Sequence, residues 1–279
     1  MCNMDRSKSL QTGHWFVHVM IFVVIGFVLG CNARVEGCLD IEASNFDVTV
    51  DKHDPEVCSY PDMLLKVQYS WDTLSFSKDT FYTNDIGQLL AFEDVYVLVS
   101  QFALNGVELG RLVVEDRTDW FLLEDDAYIK AIDDFTFIDQ SKFSFILGEW
   151  RTTDTVDRLD FYVGVPDILT PTSPELLDDD HVLREPRAFY SEETNEFATA
   201  RFIVARDSAR IEIDTFVISS GPLAYSFPLS KELTRGRNDD VGIEINFHAI
   251  FKDVDLDQDS ASVAQALEKN LQAAILDNN

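Results

Sequence analysis

Residues 91–99 read AFEDVYVLV and residues 211–217 read IEIDTFV, and most of the apolar side chains in both stretches recur at every second position. A period of two places alternate side chains on opposite faces, which is typical of half-buried β-strands. Four further stretches show the same period: residues 63–69, 143–147, 159–163 and 200–204. Turn-forming residues interrupt the pattern at 105–106, 148, 221–222 and 236–242. The chain is therefore predicted to be mainly β, with a β-sandwich-like domain.

The last third of the chain adds a loop, a strand and a helix to this prediction. Residues 165–187 contain four prolines and predict a long irregular loop. Residues 243–251, IEINFHAIF, predict another strand. Residues 260–275 carry apolar side chains at helical spacing and predict one C-terminal helix, for which Asp259 or Ser260 is a suitable N-cap.

Composition and charge exclude several classes of protein. The chain has 279 residues, of which 46% are hydrophobic and 12% aromatic, so it can build a core and is not a disordered chain. It has 22 basic and 50 acidic side chains, for a formal charge of −28. Such an acidic excess repels phosphate backbones, which excludes nucleic-acid binding and favours cations or basic partners. No protein partner is identified by the sequence.

The first thirty residues predict an address in the cell envelope. The apolar run from Trp15 to Leu29 is about 15 residues long, whereas a membrane-spanning helix needs roughly 20. It leads into Val28-Leu29-Gly30-Cys31, which resembles the lipobox of bacterial lipoprotein signal peptides. Residues 1–30 are thus predicted to be a lipoprotein signal peptide. Cys31 would carry the lipid and attach the chain to the bacterial envelope, at the outer membrane or facing the periplasm. An anchor helix, or a signal peptide cut elsewhere, is the alternative.

The remaining cysteines predict a disulfide. Removal of residues 1–30 and lipidation of Cys31 leave Cys38 and Cys58 in an oxidising compartment. A bond between them closes a loop of about 21 residues and contributes about 3 kcal/mol; two free thiols are the alternative. The surrounding segment is polar and too small to fold without such a link.

This predicts a domain organisation of three parts: the signal peptide, a tether with a disulfide module at residues 31–61, and a β domain at residues 62–279. The module resembles short segments near the N-terminus of many bacterial surface lipoproteins. The residues that carry this likeness are Asp40, Ala43, Asn45, Cys58, Tyr60 and Pro61.

Four stretches of the β domain, in the same order, resemble the methanobactin-associated MbnP-like domain of bacterial copper proteins. They are residues 76–104, with Tyr82-Thr83-Asn84 and Gly87 followed by VLVSQFAL; residues 127–139, AYIKAIDDFTFID; Gly148-Glu149-Trp150 with DRLDFYVGVPD and His181-x-Leu183; and IEINFHAIFKDVDL with Asn270 in the following helix. Together the four stretches span most of residues 64–279.

The resemblance implies copper binding, but two departures leave a second interpretation open. The family's aromatic stretch after the loop has a tryptophan where this chain has Tyr190, and its later histidine corresponds to the stretch Ile218-Ser219-Ser220-Gly221-Pro222. The first interpretation is a copper-binding or other metal-binding protein. The second is a surface binding or scaffold module on the same fold without a metal site.

Two sets of side chains are candidate metal ligands. His181 and His248 offer imidazole, which suits copper, if the loop that contains His181 folds back onto the last strand. Asp253, Asp255 and Asp257 offer oxygens that suit calcium, although they lack the glycine and glutamate of an EF-hand loop.

Catalytic signatures are missing from the sequence. It has no G-x-S-x-G, phosphate-binding loop, H-E-x-x-H or G-x-G-x-x-G. Trp71, Trp120 and Trp150 could stack on a sugar, but aromatic side chains are more often buried. The protein is therefore predicted to be non-enzymatic.

Overall fold

The computed structural model describes residues 34–106, 110–112, 117–122, 127–132, 134–150, 155–170, 172–219 and 221–278. Within these residues the strands are β1 (Glu36–Gly37), β2 (Lys52–His53), β3 (Asp62–Trp71), β4 (Leu74–Ser75), β5 (Tyr82–Thr83), β6 (Leu89–Gly106), β7 (Gly110–Leu112), β8 (Arg117–Leu122), β9 (Ala127–Ile132), β10 (Thr136–Asp139), β11 (Ser144–Glu149), β12 (Thr155–Val163), β13 (Tyr190–Ser191), β14 (Glu196–Phe197), β15 (Ala200–Ala205), β16 (Ile213–Ile218), β17 (Leu223–Glu232), β18 (Asp239–Asn246) and β19 (Ile275–Asp277). The α-helices are α1 (Phe247–Phe251) and α2 (Ser260–Ala274), and short 3₁₀ turns lie at Pro55–Val57, Pro174–Leu176, Val182–Arg184 and Pro186–Ala188. The prediction of a mainly β protein with one C-terminal helix is confirmed.

The described chain divides into two compact units. The smaller comprises residues 34–40 and Phe46–Cys58, and the larger comprises Ile41–Asn45 and the residues from Ser59 to 278. No helix in the described part of the chain is both long and apolar enough to cross a membrane. The predicted signal peptide, residues 1–30, and the predicted lipidation site, Cys31, lie outside the described residues.

In the smaller unit, a parallel β1–β2 pair is closed by the Cys38–Cys58 disulfide. Gly37 of β1 lies so close to Val50 that a Cβ atom there would be 2.7 Å from Val50 Cγ1, so a larger residue would require Val50 to move. The Asp54 carboxylate accepts a hydrogen bond from the Glu56 N–H and so starts the turn that leads to Cys58. The disulfide prediction is confirmed.

The larger unit is organised around β6. This strand of 18 residues pairs with β15 through its first half and with β12 through its second half, and β16 and β17 extend the sheet beyond these neighbours. The short strands β5, β7 and β10 also pair with β6. A second sheet has the order β11-β3-β18-β19, in which β3 and β18 are parallel.

The main core lies between side chains of these two sheets and the two helices. It includes buried residues from β3, β6, β12, β15, β18 and α2. Leu267 of α2 is fully buried, and it recurs with Val263 and Leu271 on the apolar face that the sequence predicted. The Asp259 side chain accepts a hydrogen bond from the Ser262 N–H and caps α2, which agrees with one of the two predicted caps.

A second, smaller core lies under the loop that follows β12. Leu98 of β6, Phe137 of β10 and Trp120 belong to one buried cluster with Leu169, Leu177 and Leu183 of that loop. The predicted irregular loop at residues 165–187 is thus a folded layer with its own apolar contacts, and its prolines start two of its 3₁₀ turns.

The prediction of a continuous strand at residues 243–251 was wrong in its second half. The strand β18 ends at Asn246, whose side chain accepts a hydrogen bond from the Ala249 N–H and caps α1. Phe247, Ile250 and Phe251 then bury one face at helical spacing. The apolar residues of IEINFHAIF fit both the strand period of two and the helical period of 3.6, and the N-cap Asn246 favours the helix.

The strand β17 was missed by the sequence pattern because it contains Pro228. Proline cannot donate a ladder hydrogen bond, so it argues against a central strand. The sheet accommodates it since β17 is the last strand beyond β12, and the register shifts between Val156 and Arg158 opposite this proline.

Candidate ligand-binding site

A bulge in β6 shapes the surface of the larger sheet. Asp160 of β12 lies opposite Ala103, and Tyr162 lies opposite Ser100. Phe161, the single residue between Asp160 and Tyr162, therefore faces both Gln101 and Phe102. Gln101 has a φ of 51°, in the left-handed region that non-glycine residues rarely adopt. An extra residue of this kind bends the strand and changes the direction of its side chains.

The bulge is held by a buried carboxylate. Asp134 is 7% exposed, and its two oxygens accept hydrogen bonds from the Gln101 N–H and the Phe102 N–H, both at 2.7 Å. Hydrogen bonds from backbone amides to an ionised acceptor are among the stronger ones in proteins. Asp134 therefore satisfies two donors that the bulge removes from the ladder.

The bulge opens onto a cavity of about 370 Å³, which we name the bulge cavity. The described residues that line it are Gln101, Ala103, Asp160, Phe161, Tyr162, Ala224, Tyr225 and Ser226. Phe161 and Tyr225 are buried and stack in the core at 5.1 Å between ring centroids, so they form its base. The cavity therefore lies on the face of the sheet opposite to the main core.

The bulge cavity is lined by several side chains that can form hydrogen bonds. Four of its lining residues, Gln101, Asp160, Tyr162 and Ser226, have side chains that carry an amide, a carboxylate and two hydroxyls. Asp160 accepts a hydrogen bond from Arg158 Nε at 3.0 Å, at a site exposed enough that the ion pair contributes little stability. None of the described lining residues is a histidine, cysteine or lysine.

The sequence did not predict this site, although it carries a signal for it. Core-facing side chains of β6 occupy even positions at Leu90 and Phe92, odd positions from Val95 to Val99, and even positions again from Phe102. The second change of phase is the bulge at Gln101, and the first coincides with a register shift against β15. A phase change within one strand is the pattern that a bulge leaves in a sequence.

The structure places His181 in the smaller core, where it caps a turn. It is 7% exposed, and its ring lies edge-on to Trp120 at 5.3 Å. Its Nδ1 accepts a hydrogen bond from the Leu183 N–H at 3.0 Å. Because the Nδ1 lone pair is used there, the neutral ring carries its hydrogen on Nε2, which does not suit a metal ligand.

His248 lies on α1, beside the main core. Its Nε2 is 3.1 Å from Asp85 Oδ1, and its ring packs edge-on against Trp71. A carboxylate partner places the hydrogen on Nε2 and leaves the lone pair on Nδ1, which is the tautomer of a metal-binding histidine. The structure does not bring a third ligand to His181 or His248 within the described residues, so the predicted pair stays a prediction.

The acidic residues after α1 act as local hydrogen-bond acceptors. Asp255 and Asp257 both accept hydrogen bonds from the Gln88 side-chain amide, at 2.9 and 3.0 Å. Asp257 also pairs with Arg206, and the hydrogen bond from this guanidinium lowers the pKa of the carboxyl. Asp253 has a φ of 55° at the turn before them. Two of the three predicted calcium ligands, Asp255 and Asp257, thus accept hydrogen bonds from protein donors, and calcium binding stays a prediction.

One group of potential metal ligands is close together in the described residues. Ligand atoms of Cys38, His53 and Cys58 all lie within 4.8 Å of one another, with the two cysteines joined as a disulfide.

Trp71, Trp120 and Trp150 are each buried, so none of these three rings offers a surface for stacking a sugar.

Comparison with known proteins adds a single structural similarity. Neither a protein family nor a curated protein matches the chain. Among solved structures, "MbnP from Methylosinus trichosporium" is similar with 10% sequence identity and a TM-score of 0.43, over 71% of this chain and 79% of that chain. A similarity at this level assigns neither a family nor a ligand to the chain, so the family resemblance of the motifs stays a prediction.

Proposed function

We propose that this protein is a lipid-anchored, non-enzymatic binding protein of the bacterial cell envelope, and that the bulge cavity is its ligand site. The observation that carries this proposal is the bulge itself: a buried carboxylate holds a residue in the left-handed region next to a polar cavity. Costly backbone conformations of this kind persist where the surrounding structure fixes them, and they cluster at binding sites. The envelope address comes from the lipobox-like stretch that ends at Cys31.

The lining and the net charge define the chemistry of the ligand. A chain with a formal charge of −28 repels anions, so the ligand is neutral or cationic. The Asp160 carboxylate accepts hydrogen bonds, whereas the Gln101 amide and the Tyr162 and Ser226 hydroxyls both donate and accept them. Small molecules rich in hydroxyl or amino groups, such as sugars and amino sugars, match this set.

Two serines of β17 provide a matched test. Ser226 lines the bulge cavity, whereas Ser230 is also exposed on the same strand and is not among the lining residues. Calorimetric titration of the mature protein with a panel of neutral sugars and amino sugars should find a ligand. Ser226→Trp should abolish its binding, and Ser230→Trp should leave the affinity unchanged. The proposal fails if no member of the panel binds, or if Ser226→Trp binds as well as the unmodified protein.

Copper binding at His248 is the second candidate function, and the hydrogen bond that His181 Nδ1 accepts opposes the part of His181 in the predicted pair. Copper binding is favoured by the Asp85 contact, which orients His248 in the tautomer that a metal needs. The measurement is the copper content of the protein after loading and exhaustive dialysis. About one equivalent that is lost in His181→Ala or His248→Ala supports the pair, and an unchanged content in both variants rejects it. The same dialysis after calcium loading tests Asp253, Asp255 and Asp257.

A further inference from the structure

Three side chains that bind thiophilic metals meet in the smaller unit. Ligand atoms of Cys38, His53 and Cys58 lie within 4.8 Å of one another, and the two cysteine Cα atoms are 4.9 Å apart. The group is independent of the bulge cavity and of the histidines considered for copper.

The backbone contributes to this arrangement as well as the disulfide. His53 lies opposite Gly37 in the β1–β2 pair, which places its ring beside Cys38. The Leu39 N–H donates a hydrogen bond to His53 Nδ1 at 3.0 Å, and the Cys58 N–H donates one to the Pro55 carbonyl at 3.3 Å. Neither of these two contacts involves a sulfur atom.

We propose that Cys38, His53 and Cys58 form a redox-controlled metal site, which is a disulfide when oxidised and binds zinc(II) when reduced. Zinc–thiolate bonds of about 2.3 Å and zinc–imidazole bonds of about 2.0 Å place tetrahedral ligand atoms roughly 3.5 to 3.8 Å apart. The three side chains reach that spacing once the sulfurs are released from each other. Water completes the fourth position.

Reduction proceeds by exchange with a dithiol. Cys58 is the more accessible cysteine, because Cys38 is 2% exposed. A thiolate of the dithiol attacks Cys58 Sγ, forms a mixed disulfide and displaces Cys38 as a thiolate. The second thiol of the reductant, as its thiolate, then attacks its own sulfur of the mixed disulfide, which releases Cys58 as a thiolate. Two electrons reach the protein, the reductant leaves as a disulfide, and its two protons pass to solvent when zinc takes both thiolates.

Exposure distinguishes His53 from His181 as a ligand. Both rings accept a backbone hydrogen bond on Nδ1, but His53 is exposed, so water can replace its contact with the Leu39 N–H when the ring turns. The bound cation also closes the same loop as the disulfide, and a small unit without a large core needs such a link. Asp54, close by in the chain, adds negative charge that attracts a divalent cation.

The test uses the full mature protein in both redox states. The protein is reduced with a phosphine, desalted without oxygen and titrated with cobalt(II), whose thiolate complexes absorb by charge transfer, and zinc(II) is then added in competition. We expect one equivalent of cobalt bound with this absorption in the reduced protein, displacement by zinc, and no such absorption in the oxidised protein. His53→Ala keeps both cysteines, so formation of the disulfide in its oxidised state shows that this variant folds. It should weaken cobalt binding about tenfold or more. Val48→Ala, which changes an exposed side chain of the same unit, is the control and should leave cobalt binding unchanged.

Three results would overturn the inference. The first is a reduced protein without a thiolate–cobalt band. The second is equal metal retention by the oxidised protein, which would place the metal elsewhere. The third is an unchanged affinity in His53→Ala, which would remove the histidine from the site.

Discussion

Replacement of Asp134 by alanine should destabilise the protein more than a typical polar substitution. The change removes the acceptor for the Gln101 N–H and the Phe102 N–H, each bound at 2.7 Å. A buried amide that loses its partner costs about 1–3 kcal/mol, so two of them cost about 2–6 kcal/mol. Gln101 can then leave the left-handed region, which returns about 1–2 kcal/mol. We expect a net loss of about 3 kcal/mol, a large part of the stability of an ordinary domain.

The assay is urea unfolding followed by tryptophan fluorescence. A suitable control is Asp207→Ala, because the Asp207 carboxylate also accepts hydrogen bonds from backbone N–H groups, those of Ala209, Ile211 and Glu212. Those amides lie at an exposed turn where water can replace the carboxylate, so this variant should lose much less stability. A loss below about 1 kcal/mol in Asp134→Ala, or an equal loss in the two variants, would refute the role assigned to Asp134.

A glycine at position 101 tests the same reasoning from the opposite side. Glycine has no Cβ and adopts positive φ without a steric penalty, although it loses more chain entropy on folding. The balance of these two effects predicts that Gln101→Gly stabilises the protein by about 0.5 kcal/mol. A clear destabilisation would show that the Gln101 side chain, and not the backbone, holds the bulge.

Three further outcomes are expected. Cys31→Ser should abolish incorporation of radiolabelled lipid and release the chain from membranes, and continued labelling would contradict the lipobox. Leu267→Ala empties a fully buried position of α2 and should cost about 2–5 kcal/mol in the same urea assay, so a cost below 1 kcal/mol would contradict its place in the core. Arg206 holds the pKa of Asp257 below the ordinary 3.8, so this pair contributes stability above that pH, which is lost as the pH falls through the lowered pKa. Asp257→Asn should therefore reduce the loss of unfolding free energy that occurs as the pH falls into the acid range. An unchanged loss would show that the Arg206–Asp257 pair contributes no stability.

The elements that the sequence predicted well are those whose burial is decided locally. β3 and β15 each bury one face, so alternation is visible within a few residues. The helix α2 carries its own cap and its own apolar face. The Cys38–Cys58 bond followed from counting thiols in an oxidising compartment, which needs no knowledge of the fold.

The elements that it missed depend on distant neighbours. β17 tolerates Pro228 because no strand lies beyond it in the described sheet, which the residues of β17 alone do not reveal. The bulge of β6 needs Asp134, which is 33 residues away from Gln101. Leu169 and Leu183 become core residues in a cluster that also contains Leu98 of β6, which is distant in the chain.

Residue type alone was a weak guide to the site, because each histidine of the described chain has a specific hydrogen-bond role. His53 and His181 accept a backbone N–H on Nδ1, whereas His248 contacts a carboxylate through Nε2. The tautomer that follows from these contacts, together with exposure, decides which ring can take a metal, and neither property can be read from composition. The bulge cavity, in contrast, depends on backbone geometry, which brings ordinary polar side chains together there. The proposed binding site therefore rests on a bend in one strand, and Asp134→Ala tests what holds that bend.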